Sequence, residues 1–567
     1  MKKKEAMKKW ESSILRIANK AATVDLANPF RTRGDHYEAR GTGFNASRHV
    51  LPTCYHVIAD SQQIFVIDDN NYNHRGHLIF ACPNIDLALI YTKHPGVAVK
   101  IAPEDRIQPQ DTLVARGFPL GSSKLHTNKG VVSRWDEHLL VVDTPQNPGN
   151  SGGPQFDEAN QVVAITSMGK VKANNISFGI PSLYLRQAIS EFLSVATGTR
   201  VELEHDWARF DPAELDRVAE EVVARRLGPI IVCRPSEEFE VQRGSEMLLG
   251  SRGLFGSPSS PGRSSSEGRR PGKALHPPQR SSLQTRQKDE ESLEESDAAA
   301  AEIEEEEAQE SQQPRLGVLV SKVMTDSLAH RAGLRRGDIL MAINGFGVTF
   351  ERDVLTKPPM QIKTFFLNMR AGDPVELHVW RSEPFKLRFR AASDIERPVP
   401  MLFFEVDKVN YEVFAGLVFE ELTLNHSELE IKRKDEINKA LEFENRATPR
   451  VVIVNVLPSC FFACRHTVVA GDILVRVNGL PVSCIATLRA ALLAVIAKKD
   501  EAYIIFELMR GGEGVVHKIV VVGQDRHMQE QHGFAESELT TALRHATKHL
   551  QFNPHAGDDC ANIADLD

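Results

Sequence analysis

Between residues 11 and 195 the apolar residues come in short β-branched runs, among them "QQIFVID", "HLIFA", "DLALIYT", "DTLVARGF", "HLLVVD" and "QVVAITSM". Each run is closed by turn-forming residues, and helical spacing is nearly absent. Such a pattern predicts an all-β barrel or sandwich. A single core cannot serve all 567 residues, and a chain of this length divides into roughly three or four domains. The period changes over 204–226, "EHDWARFDPAELDRVAEEVVARR", where Leu215, Val218, Val222 and Val223 share one helical side.

From about 250 to 313 the chain turns into Gly, Ser, Pro and charge, basic first ("SPGRSSSEGRRPGK") and then acidic ("KDEESLEESDAAAAEIEEEEAQES"). Too little apolar surface is available there to offset ordering entropy, so the tract is expected to be disordered. Beyond it a repeat emerges: "GDILMAINGFGV" (337–348) returns as "GDILVRVNGLPV" (471–482). Each copy follows a β-rich run, "LGVLVSKV" or "RVVIVNVLP", which predicts two related modules.

The net charge of -8 argues against a nucleic-acid-binding surface. No apolar run reaches the ~18 residues of a membrane span. The opening "MKKKEAMKKWESSILRIANK" is basic, but Glu11, Ser12 and Ser13 interrupt any apolar signal core. Seven scattered cysteines suit reduced thiols better than a disulfide framework. Together these features predict a cytoplasmic or nuclear location. Cys460 and Cys464 have no second Cys/His pair at zinc-site spacing, so no metal site is expected there.

"TPQNPGNSGGPQF" (144–156) surrounds Ser151 with glycine and proline. These residues also dominate plain surface turns. A serine hydroxyl attacks at neutral pH only with a base to take its proton, commonly a histidine oriented by a carboxylate. His56 in "LPTCYHVIAD" and Asp86 in "PNIDLALIY" lie upstream. Each alone is more often structural; the order His, Asp, Ser within one β-rich segment is harder to dismiss. Gly149 permits a tight turn whose amide, with that of Ser151, can face a developing oxyanion, while Gly152 and Gly153 clear the substrate's path.

Residues 41–182 resemble the chymotrypsin-like HtrA/Deg serine proteases. "GTGF", "TCYHVI", "NIDLALI", "NPGNSGGP" and "SFGIPS" are similar to that family's successive motifs, with Cys54-Tyr55 departing from the usual residues before the histidine. The resemblance implies His56 as general base, Asp86 as its carboxylate, Ser151 as nucleophile and an oxyanion hole at Gly149, Asn150 and Ser151. Asp86 is preferred to Asp60, Asp68, Asp69 and Asp143 because it alone carries the D-L-A context. "GFPLGSSKLHTNKGVVSRWD" and "VNYEVFAGLVFEELT" narrow the likeness to plant-type Deg proteases with two PDZ domains.

The implied organisation is a basic leader (1–10), an all-β chymotrypsin-like double β-barrel protease domain (11–200), a helical connection (201–226), an α+β first PDZ domain (227–395), an α+β second PDZ domain (400–525) and a C-terminal tail (526–567). Peptide carboxylates would bind at Phe414, Ala415, Gly416 and Leu417 in the second PDZ domain. In the first they would bind in "LGPIIV", at Leu227, Gly228 and Ile230, which makes 250–313 an insertion inside that domain. The competing layout is an interdomain linker with a PDZ module starting near Pro314. By resemblance Thr166, Met168 and Phe178 wall the specificity pocket; no acidic residue accompanies them, which favours small or medium apolar side chains. The likeness implies no metal or organic cofactor, unfolded polypeptide substrates, C-terminal or internal peptides at the PDZ domains, and a homo-oligomer built from trimers. The alternative function is a peptide-binding scaffold or holdase chaperone with latent proteolysis.

Overall fold

A computed structural model describes residues 12–522 apart from 31–35, 104–106, 137, 146, 170–176, 204–205, 243–316, 358, 394–396, 459, 461, 464–466, 498–502 and 511–514. The leader, the C-terminal tail and the expected disordered tract therefore lie outside the described residues.

The predicted strands form two β layers. β1 (Ile14–Ala22), β2 (His36–Phe44), β3 (Val50–Thr53), β4 (Ser61–Ile67), β5 (Asn73–Cys82) and β6 (Leu87–Thr92) make an antiparallel sheet in the order β2-β1-β4-β5-β6-β3. β7 (Thr112–Gly117), β8 (His126–Asp136), β9 (Leu139–Val142), β10 (Pro154–Phe156), β11 (Val162–Gly169) and β12 (Ser177–Pro181) close into a barrel. Branched residues fill the space between them: Ile14, Ile17, Val50, Ile79, Leu89, Val162 and Ile165 are all buried in one core. β6 is buried along its whole length, so its apolar run carries no alternation.

Three helices pack on this core. α1, a single turn at Tyr55–Ile58, follows β3. α2 (Ser182–Thr197) buries Tyr184, Leu185, Ile189 and Phe192 and stops at Gly198, whose φ of 68° suits a left-handed cap. α3 (Pro212–Ala224) starts where the Asp211 carboxylate accepts the Ala213 N–H at 2.9 Å. Its predicted apolar side, Leu215, Val218 and Val222, belongs to the same core as the β-sheets. The expected connection is thus part of the first unit's wall. Asp216 on α3 also accepts the Ser47 hydroxyl at 2.6 Å and the His49 N–H at 2.8 Å, which fixes the β2–β3 turn.

One expectation is overturned. β13 (Ile230–Ile231) pairs in parallel with β5 at Phe80 and Ala81, and the Val232 N–H donates to Ala81 O. Ile230 therefore joins the first sheet, and Leu227, whose N–H donates to Val222 O, and Gly228 lead into it from α3, so the three do not form a peptide-carboxylate loop in the next module. β4 pairs only with the first residues of β5, and the length it leaves unpaired accepts β13. The edge strand of the next module is β14 (Phe239–Val241), paired with β15 (Val318–Val323) across the long undescribed segment. The sheet continues through β16 (Ile339–Ile343) to strands at Pro374–Trp380 and Pro384–Arg390.

The repeat corresponds in three dimensions. Asp338 is buried, accepts the Arg335 and Arg381 donors, and its own carbonyl takes the Val320 N–H. Asp472 is likewise buried, accepts the Val469 and Arg510 donors, and takes the Ile453 N–H. Asn344-Gly345 and Asn478-Gly479 then turn with positive φ at both residues, the geometry of a two-residue hairpin. The repeated "GDIL…NG" thus encodes one turn, one buried carboxylate and one strand, used twice.

Arg234, 1% exposed, ties the units together: it lies 2.8 Å from Glu191 on α2, and its Nη1 donates to Met369 O in the first module at 3.5 Å. Removing one partner leaves a buried charge uncompensated, a cost of about 3–5 kcal/mol. Glu191→Gln should therefore lower the unfolding free energy of this unit by that order, while the apolar pair Glu191→Leu/Arg234→Met should recover most of it. Chemical denaturation followed by fluorescence checks both.

Candidate active site

Asp86 sits at the end of a short turn, Pro83–Ile85, with φ 58° and ψ 41°, a left-handed conformation that costs a non-glycine residue on the order of 1–3 kcal/mol. The backbone bond of its N–H to Pro83 O holds it there. The turn aims the carboxylate at α1. Oδ1 accepts the His56 backbone N–H at 2.9 Å, and Oδ2 lies 2.8 Å from His56 Nδ1. The Tyr55 N–H donates to Asp86 O, so the turn and the helix grip each other at three points. Ser167 on β11 donates its hydroxyl to Asp86 Oδ2 at 2.8 Å. With Nδ1 donating to Asp86, Nε2 of His56 is left as the proton acceptor.

The Ser151 loop hangs from β2. The Thr42 N–H donates to Ser151 O at 2.8 Å, and the Thr42 hydroxyl donates to Gly149 O at 2.7 Å while accepting the Phe118 N–H at 3.1 Å. Thr42 O in turn accepts the Thr53 hydroxyl at 2.8 Å, from the strand that leads into α1. Next to it Gly41 is the pinch point: a Cβ there would lie 2.5 Å from Val57 of α1 and 3.1 Å from Ser151 O. One strand thus holds both the histidine helix and the serine loop.

Within the loop the Asn150, Gly152 and Gly153 amides donate to Asn147 O, Thr166 O and Asn150 O. Among the described hydrogen bonds, the amides of Gly149 and Ser151 are not spent on the chain. Gly149 has φ 100°, and a Cβ on it would sit 2.5 Å from Phe118 O. Gly152 has φ 86°, and its Cβ would collide with Thr42 O. Both conformations and both contacts require glycine. Asn150 must be removed from the expected oxyanion donors: its N–H is used by Asn147 O, and the residue is buried with its side chain against Gly117.

Cys54, the departure noted before the histidine, is fully buried and donates its thiol to Thr166 O at 3.2 Å. Burial, and then the nearby Asp86 carboxylate, push its pKa well above the usual thiol range, so it is not a competing nucleophile. Thr166 is buried, and its hydroxyl accepts from Gln155 at 3.3 Å in the barrel interior. Adjacent strand residues face opposite ways, which is why Ser167 reaches Asp86 while Thr166 does not. Met168 lies on β11 and Phe178 on β12, where Phe178 pairs with Val141.

Phe414, Ala415, Gly416 and Leu417 form the tip of a hairpin in the last module, with Ala415 and Gly416 at φ 52° and 78°. Phe414 and Leu417 are buried, Gly416 O accepts the Leu457 N–H, and a Cβ on Gly416 would collide with Cys460. Leu457 and Cys460 of the same chain lie against this tip.

Residues 399–407, between the two modules, reach back to α1. Glu405 accepts the Tyr55 hydroxyl at 3.0 Å and the Asp60 N–H at 2.6 Å, and Phe403 meets the Tyr55 ring edge-on. Burial raises the Glu405 carboxyl above its usual range against these hydrogen bonds, and raises Asp60 too. Sequence reading offered no signal for this contact, because its partners are 350 positions apart.

Thr42→Val keeps the shape but strands Gly149 O and the Phe118 N–H in a buried site, at about 1–3 kcal/mol each. Peptidase turnover should fall by much more than KM changes, with the fold retained by circular dichroism, because the loop loses its anchor and not its substrate contacts.

The trypsin-like peptidase domain family matches residues 41–165, and the PDZ domain family matches residues 319–347. A serine protease DegP homolog of Plasmodium falciparum (isolate 3D7) is 30% identical over 175 residues, 27% of this chain and 19% of that protein. A probable periplasmic serine endoprotease DegP-like of Brucella suis biovar 1 (strain 1330) is 28% identical over 225 residues, 36% of this chain and 42% of that protein. The chain thus spans less than half the length of these curated relatives. A solved serine endoprotease from Yersinia pestis overlays 69% of this chain and 97% of its own, at 15% identity and a TM-score of 0.40. The periplasmic naming of the relatives, repeated for Pseudomonas fluorescens and Chlamydia muridarum, overturns the expected cytoplasmic or nuclear location and points outside the cytoplasm. That expectation had leaned on the first twenty residues and on cysteine count, neither of which reports a compartment directly. Over residues 41–165 the chain carries a trypsin-like peptidase domain, and it is similar there to DegP-like serine endoproteases.

Proposed function

We propose that the chain is an ATP-independent serine endopeptidase that cleaves unfolded or damaged polypeptides through an acyl-enzyme. The carrying observation is the His56–Asp86 contact of 2.8 Å beside a serine loop whose Gly149 and Ser151 amides are unspent. His56 takes the Ser151 proton at Nε2 as Oγ attacks the scissile carbonyl; Asp86, steadied by Ser167, stabilises the imidazolium that forms. The Gly149 and Ser151 amides receive the oxyanion, a contribution of about 2.7–4 kcal/mol per donor. His56 then returns the proton to the leaving amine, and water repeats the cycle on the ester. Thr166, Met168 and Phe178 would shape a pocket for small or medium apolar side chains.

The second GDIL module is read as a second PDZ domain, since its buried Asp472 and Asn-Gly turn repeat those of the module that matches the PDZ family. Two such modules favour the plant-type architecture. Peptide capture at Phe414–Leu417 would require the 457–460 segment to move. The docking of Glu405 and Phe403 on α1 supports a route by which the modules regulate the peptidase, and assembly in trimers follows the family likeness. The tract over 250–313 is read as an insertion between β14 and β15, supported by their direct pairing.

Incubating wild type and Ser151→Ala with casein, alongside a serine-reactive fluorophosphonate, tests the enzyme reading. Wild type should label and cleave and Ser151→Ala should do neither; a wild type that does neither under activating conditions overturns it, and equal suppression of aggregation by both proteins would favour the holdase. Excising 252–312 should leave the thermal transition of the first module in place, because loop-closure entropy depends weakly on length; loss of that transition would return the tract to a separate linker.

A further inference from the structure

Away from the peptidase site, three potential ligands converge on the far end of the first sheet. Asp68 follows β4, His74 stands on β5, and His94 lies just past β6; their ligand atoms are all within 4.8 Å of one another. We propose that Asp68, His74 and His94 form a divalent transition-metal site, suited to zinc, that staples the β4–β5 hairpin to the chain leaving β6.

The carboxylate is already locked. Asp68 Oδ1 accepts the Asn70 and Tyr72 amides at 2.9 Å each, and Asp68 O accepts Arg16 Nη2 at 2.8 Å. Oδ2 is left facing His74 Nε2 at 3.0 Å. Outer hydrogen bonds of this kind fix a first-sphere ligand before the metal arrives. The sheet register supplies the rest: His74 pairs with Val66 on β4, and Gly76, two residues on, pairs with Thr92 at the end of β6. That brings His94 over His74, with ring centroids 4.1 Å apart and planes 22° from parallel.

One imidazole on a carboxylate needs no further explanation. A second imidazole stacked on it places a third potential ligand atom within 4.8 Å of the other two. Two neutral imidazoles and a carboxylate are a donor set for zinc, with a fourth position for water. Two ligands of a tetrahedral zinc lie about 3.3–3.4 Å apart, so the Asp68–His74 pair needs only a few tenths of an ångström. His94, on a loop, turns its ring out of the stack to bring a nitrogen to the same point. Metal binding at His74 Nε2 requires that nitrogen free of hydrogen, so the single ring proton of the neutral imidazole shifts to Nδ1 and the ligand stays neutral, with no redox change.

The full chain, stripped with chelator and titrated with zinc chloride by calorimetry, should show a saturable site that weakens about tenfold or more in His94→Ala and disappears in His74→Ala/His94→Ala. Cobalt(II) in place of zinc should give the visible bands of a tetrahedral site in wild type and not in the double variant. Asp68→Asn keeps an oxygen for the Asn70 and Tyr72 amides, so a folded Asp68→Asn chain with weakened binding separates ligation from turn stability. Isotherms and cobalt spectra identical in wild type and the double variant would overturn the proposal, whatever binds at Cys54 and His56 or at Cys460.

Discussion

Thr42 is the fastener on which the candidate site depends. Buried on β2, it uses its N–H, its hydroxyl and its carbonyl to hold Ser151, Gly149, Phe118 and Thr53. Those four belong to the serine loop, the second barrel and the strand before the histidine. Buried polar groups left unpaired are expensive, so the arrangement either forms as a unit or not at all. Asp86 completes it from the other side, by spending a strained left-handed turn to face His56.

The outer modules are tied to this centre by polar contacts buried at interfaces. Arg234 joins Glu191 on α2 to the first module, and Arg370 of that module donates to Ser190 and Val201 O. Glu405 and Phe403 press on α1 one residue from His56. Burial raises the Glu405 carboxyl above its usual range, opposed by its hydrogen bonds to Asp60 and Tyr55.

Much of the site was legible. The His, Asp and Ser motifs lie on three separate segments, yet each is locally distinctive, since a strained turn or a crowded glycine leaves a compositional mark. What was misread has a common cause. "LGPIIV" has the pattern of an edge strand, and pattern does not say which sheet's edge it joins; β5 took it. Asn150 was grouped with its neighbours, but the direction of one N–H, toward Asn147 O, is a backbone torsion and not a residue type. Ser167, which steadies Asp86, stood beside Thr166 in a strand whose alternation would have separated their roles.

By itself the sequence determined the β-rich core, the glycine-rich Ser151 turn and the duplicated module, because strand alternation, glycine at positive φ and a buried Asp in "GDIL" are local requirements written residue by residue. The tertiary structure decided what meets what: β13 on β5, Glu405 on Tyr55, and His94 over His74 beside Asp68. Those pairings follow from sheet register and domain packing, which sum many weak long-range contacts, and no short stretch of residues carries that sum.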